Sequence, residues 1–222
     1  MNLLPRKPST AGCPNPAFVL RRLIPLAYGV FVIGFLMSVA VYSAGRTPKL
    51  EDGIMTDLLS RLENPQGWPF SAVATVLCGM LLMPAATLFQ HGCKGSYRRW
   101  AVLGGWFYRM GLIAACLIGI TTPFQQPYQS VHVWLAFLAF MSMVAGLAVC
   151  LGLAASYHSR FALAALAALQ IAALVFLVYL FFSPAFFEGR LWFLAVCEWG
   201  LIALIAAGTV ALAATLARAS HQ

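Results

Sequence analysis

Few of the ionisable residues in this chain of 222 fall inside its long apolar runs, and those few bound the chemistry open to it. Glu198 is the one acid within any such run, and Arg109 is the one base deep inside another. A charge near the centre of a bilayer costs about 2.5–3.5 kcal/mol on insertion scales, so such side chains turn inward and take partners. Counted along their helices, the two differ in depth by roughly 7–8 Å at 1.5 Å per residue, a gap that an arginine side chain spans. Both are expected to face the interior, either paired together or hydrogen-bonded separately. A packing pair with no other role fits the same pattern. His132 opens another run and shares a helical face with Gln129, three residues earlier. It reads as an interfacial residue with a backbone partner, or as a headgroup contact or proton-transfer group. With Asp57 assisting, His132 and Glu198 have the residue types for acid–base work.

Other chemistries lack their residues. The four histidines, His91, His132, His158 and His221, are spread so that three fall on one side of the membrane and one on the other, and no two could clamp a haem. No His-Glu-x-x-His, Gly-x-Ser-x-Gly or phosphate-cradling glycine loop occurs. The six cysteines show no Cys-x-x-Cys spacing, and Cys78, Cys116, Cys150 and Cys197 lie inside apolar runs, where cysteine behaves as a small apolar residue. We expect no metal, no cofactor, no disulfide and no assignable catalytic residue.

The elements that must position these side chains follow from composition. Apolar and aromatic residues make up 62% of the chain and charged residues only 9%, with a mean hydropathy of +0.85. A soluble domain carries about 25% charged residues, so a water-facing surface cannot be built here. Each crossing needs about 20 apolar residues, and the chain is long enough for six with short connections. The expected fold is all-α: a polytopic membrane protein of six transmembrane helices, at about 23–44, 70–89, 101–121, 131–154, 161–182 and 191–213. Residues 1–22 and 214–222 are expected as tails, and 45–69 as the longest connection. The first run is too long for a cleaved signal segment, and Tyr42 would misplace a bulky residue before the cut. Trp68, Trp100 and Trp192 stand at span starts, as an interfacial aromatic belt requires.

With the N-terminus inside, nine lysines and arginines fall on the inner side and four on the outer, which favours both termini in the cytoplasm. The net charge of +8 therefore reads as topology signal and contact with anionic lipid, with no nucleic acid as partner. Alanine-rich spans and the lack of an Asn-x-Ser/Thr site are compatible with a bacterial inner membrane.

Ala164, Ala168 and Ala172 in the fifth span, and Ala203, Ala207 and Ala211 in the sixth, recur every four residues. Such spacing lets helices approach closely in lipid, within the bundle, in an oligomer or against another membrane protein, although an alanine-rich sequence also produces it by chance. In the outer connection, Ile54, Leu58 and Leu62 make one apolar stripe with Asp52, Asp57, Arg61 and Glu63 opposite it. This amphipathic helix, capped by Asp52 and ended before Asn64-Pro65, would either cover helix ends or form a lid over a lipid-accessible site.

Three stretches together resemble a known family. They are Asp57 with Asn64-Pro65-Gln66-Gly67-Trp68-Pro69-Phe70, then Ser130-Val131-His132 with Ala136-Phe137, and last Cys197-Glu198-Trp199. In this order, on a six-span chain, they are similar to the damage-regulated autophagy modulators and GPI-anchor lipid-remodelling membrane proteins. The chain departs from the family pattern at Met55-Thr56-Asp57, at Asn64-Pro65-Gln66 and at Val133, where an acid can follow the histidine. The resemblance implies a protein that handles or senses membrane lipids and points to Asp57, His132 and Glu198. The leading expectation is thus a lipid-binding protein without its own catalysis. The alternatives are a structural or assembly subunit, an intramembrane lipid-headgroup enzyme, and a proton-coupled carrier in which Glu198 titrates.

Overall fold

The computed structural model describes residues 13–43, 67–92, 97–121, 128–158, 161–182 and 191–219, and among them there is no strand. Six helices are long and apolar enough to cross a membrane.

The first helix, α1, starts earlier than the apolar run suggests. Asn15 caps it by accepting a hydrogen bond from the Ala17 N–H at 2.9 Å, and Pro16 takes the first helical position, where no N–H is needed. One turn, Pro16–Phe18, passes into a π-helical stretch, Val19–Leu23, and then into the regular helix Ile24–Ser43. The wider turn has a packing consequence. Val19 and Ile24, five residues apart, are both buried, while Arg21 and Arg22 between them stay exposed. The sequence reading began the first span just after this arginine pair; the π turn instead carries the pair around the outside of a helix that starts at Pro16.

The other helices are α2 (Trp68–His91), α3 (Arg98–Ile120), α4 (Tyr128–His158), α5 (Phe161–Phe182) and α6 (Leu191–Ala219). All six expected spans are present, with α4 and α6 running a few residues past the expected limits. The connection at 45–66, including Asp57 and the amphipathic segment, lies outside the described residues, and Trp68 and Pro69 open α2.

Chain neighbours pack side by side from α1 to α5, and α6 returns across α4 to touch α2, α5 and the first turns of α1. Helix α3 is held between α2 and α4 by glycines on two of its faces. A Cβ on Gly105 would lie 2.8 Å from the backbone N of Gln90 on α2. Across the other seam, a Cβ on Gly146 of α4 would lie 2.5 Å from the Gly104 carbonyl oxygen and 2.6 Å from the Tyr108 N. These backbones touch, and only a missing side chain allows it.

The alanine stripes are not the seams. Ala164, Ala168, Ala172, Ala203 and Ala207 are exposed and Ala211 is half-buried. Helix α5 turns Leu163, Ala167 and Gln170 inward, and α6 turns Leu201, Ile205, Thr209 and Leu212 inward. Lipid accepts an apolar outer face as readily as the bundle accepts an apolar inner one, so alanine spacing alone does not mark the packed side.

Candidate functional site

Glu198 lies on α6 eleven residues before Thr209, and eleven residues are close to three full turns, so the two share a face about 16 Å apart. That face is the inward one, because Thr209 is fully buried against Tyr108 of α3. The Oε2 atom of Glu198 is buried and accepts no hydrogen bond among the described residues. The next residue, Trp199, meets Phe35 of α1 edge to face, with ring centroids 4.8 Å apart, and its indole N–H is also buried without a partner. A buried acceptor and a buried donor, adjacent in the chain and both unmet, occupy the same level of the bundle. Buried polar groups in native proteins are nearly always hydrogen-bonded, so this adjacent pair is a candidate site.

Below this level sits a second polar layer. The Thr209 hydroxyl donates to the Ile205 carbonyl oxygen at 2.8 Å. With that proton committed, Tyr108 donates to Thr209 Oγ1, also at 2.8 Å. The Tyr28 hydroxyl of α1 is buried beside this pair, within interaction range of both Thr209 and Tyr108. Gln170 of α5 is fully buried and donates from Nε2 to the Leu204 carbonyl oxygen at 3.0 Å, leaving its Oε1 unmet. The sequence reading weighed charges inside the spans and passed over these uncharged residues. Gln170, a lone amide in an alanine- and leucine-rich run, and Thr209 carried a usable signal. Tyr28 and Tyr108 carried none, since tyrosines in such helices are ordinarily interfacial or packing residues.

Arg109 does not reach Glu198. Its Nη2 donates to Thr87 Oγ1 of α2 at 2.7 Å, and its guanidinium lies 4.9 Å from the centre of the Trp106 ring. The two charges sit towards opposite ends of the bundle. Trp199 packs on Phe35, and the adjacent Gly34 abuts Ala74 and the Phe70 carbonyl near the start of α2, whereas Thr87 is one turn from its other end. Along α2 that is roughly 20 Å, more than twice the separation expected from residue counting. Of the two arrangements foreseen for these residues, separate partners is the one found for Arg109.

His132, near the start of α4, is half-buried, and its Nδ1–H donates to the Thr121 carbonyl oxygen at the end of α3, at 3.1 Å. This is the backbone partner expected of an interfacial histidine. It fixes the proton on Nδ1 and leaves Nε2 as acceptor. No hydrogen bond or ion pair joins His132 to Glu198. Gln129 lies in the first turn of α4 with its side chain outside the described set, as Asp57 is altogether. Among the described residues no group of three or more His, Cys, Asp or Glu gathers at one point, and five cysteines, Cys13, Cys78, Cys116, Cys150 and Cys197, are free thiols.

The helices define an integral, multi-pass α-helical membrane protein with a six-helix bundle. No family model, curated protein or solved structure matches the chain.

Proposed function

We propose that the protein binds a membrane lipid in the half of the bundle where α6 begins, and that it senses or redistributes this lipid without catalysing a reaction on it. The observation that carries the reading is the Glu198 carboxylate oxygen, buried inside a span with no hydrogen bond and next to the unmet Trp199 indole N–H. A lipid headgroup bearing an ammonium or hydroxyl donor together with an ester or phosphate acceptor satisfies both. Phe31, Phe35 and Trp199 supply the apolar wall such a molecule needs. The resemblance to lipid-remodelling membrane proteins supports the same reading. His132 is bonded to the Thr121 carbonyl and makes no hydrogen bond with Glu198, which weighs against an acid–base pair.

Native mass spectrometry of the full-length protein in mild detergent tests this, with wild type beside Glu198→Gln. Wild type is expected to retain a lipid of defined headgroup at one per chain, and the variant, equally well folded, to lose it. Equal retention by both, or no specific lipid on either, overturns the reading and leaves Glu198 a packing residue of a structural subunit.

A further inference from the structure

The opposite end of the bundle carries a second unmet group, independent of the first. Arginine presents five N–H donors, and at Arg109 the described residues accept from one of them, through Thr87 Oγ1. Thr87 is committed further, since its hydroxyl donates to the Met83 carbonyl oxygen and its own carbonyl accepts from His91 Nδ1 at 2.8 Å. Among the described residues no other acceptor takes the remaining guanidinium protons. Arg109 is half-buried, and Trp106, over which the guanidinium lies, is 48% exposed on the outer surface of α3. The guanidinium therefore lies over a ring on the outer, lipid-facing side of α3.

Depth identifies what meets the remaining protons. Helix α2 has 24 residues and is about 36 Å long, some 6 Å more than the hydrocarbon thickness, so each end reaches about 3 Å into the headgroup layer. Thr87 lies four residues from the terminal His91, about 6 Å along the axis, so Arg109, which starts from the middle of α3, reaches with its guanidinium towards that end of the bundle. An arginine so placed extends its guanidinium towards the headgroups. The exposed Trp106 marks the same interface. The planar guanidinium fork matches a phosphate oxyanion, taking two of its oxygens at once.

We propose that Arg109, with Thr87 holding one arm of the fork and Trp106 flanking it, is a binding site for the phosphate of an anionic phospholipid in the leaflet at the His91 end of α2. The site is distinct from Glu198, so the two readings stand or fall separately. A soluble phosphate compound offers the same oxyanion, but only a lipid brings it to this depth with acyl chains along the outer side of α3.

The test uses the full-length protein in nanodiscs of mixed phosphatidylcholine and phosphatidylglycerol, with lipids co-released in native mass spectrometry counted per chain. Wild type retains phosphatidylglycerol in preference to phosphatidylcholine, and Arg109→Gln lowers that retention about tenfold. Arg109→Lys keeps the charge and loses the fork, and falls between the two; it also serves if the glutamine variant folds poorly. Glu198→Gln leaves phosphatidylglycerol retention at the wild-type value, whatever it does to the other site. Added inorganic phosphate does not displace the lipid. Wild-type retention in both Arg109 variants overturns the site, and displacement by inorganic phosphate overturns its assignment to a lipid.

Discussion

At the scale of single residues, polar groups in the interior divide into those that finish a hydrogen-bond set and those that wait for one. Tyr108 belongs to the first kind. Its hydroxyl closes a chain through Thr209 to the Ile205 carbonyl, tying α3 to α6 where few other polar contacts join them. Tyr108→Phe removes one hydrogen bond and leaves Thr209 still bonded to its own helix, so the cost is about 0.6–1 kcal/mol, the usual value for a bond between membrane helices. Reversible unfolding in mixed micelles, read by circular dichroism, measures it; a loss above 3 kcal/mol would mean that Tyr108 supports more than this bond. Glu198 and Arg109 belong to the second kind, and both were legible in the sequence as charges inside apolar runs. Their separation was not. Residue counting assumes upright helices of equal depth, and it placed within arm's reach two groups that the packing of Trp199 on Phe35 and Arg109 on Thr87 sets far apart.

At the scale of helices, what mattered most was which face meets which. Hydropathy located all six helices because burial in lipid and burial in protein demand the same apolar side chains. For the same reason it could not distinguish the inner face from the outer, and the alanine stripes of α5 and α6 misled. Glycine was the better guide, since backbone contact at Gly105 and Gly146 excludes any side chain. Gly146→Leu drives a branched side chain against the Gly104 carbonyl and the Tyr108 N–H, with an expected loss of 3 kcal/mol or about that for overpacking a closed seam. Ala168→Leu, on the exposed face of α5, changes stability by about 0.5 kcal/mol or less. The monodisperse fraction on size exclusion after mild heating separates them: the glycine variant aggregates and the alanine variant elutes as wild type. If the alanine variant also fails, that face is covered in the folded protein by a second copy or another chain.

For the whole molecule, an even number of crossings puts both ends on one side of the membrane. From the excess of lysine and arginine in the segments on that side we propose that it is the cytoplasm. A reporter that is active only when exported, such as alkaline phosphatase, is therefore expected to be inactive when fused after Gln222 and active when fused in the connection between α1 and α2. The reverse pattern would invert the bundle, moving the Glu198 end to the cytoplasmic leaflet and the Arg109 end to the outer one. Fold class and crossings were thus readable from composition and run length alone. The interior hydroxyl and amide groups were not, because Tyr108, Thr209 and Gln170 acquire their roles only from helices distant in sequence.

The π turn of α1 gives the chain an unusual tolerance to changes in its own length. Elsewhere in a helix, losing one residue rotates everything beyond it by about 100° and turns the packed face outward. Between Val19 and Ile24 the helix already holds one residue more than a regular turn needs. Deleting Arg22 converts the five-residue step to the regular four, so Val19 and Ile24 still face the core and Phe35 still meets Trp199. Deleting Gly29, lower on the same helix, breaks that register, and thermal unfolding of the two deletion variants is expected to leave the first near wild type and the second unfolded. This segment is thus a place where the gene can lose a codon without the bundle registering the change.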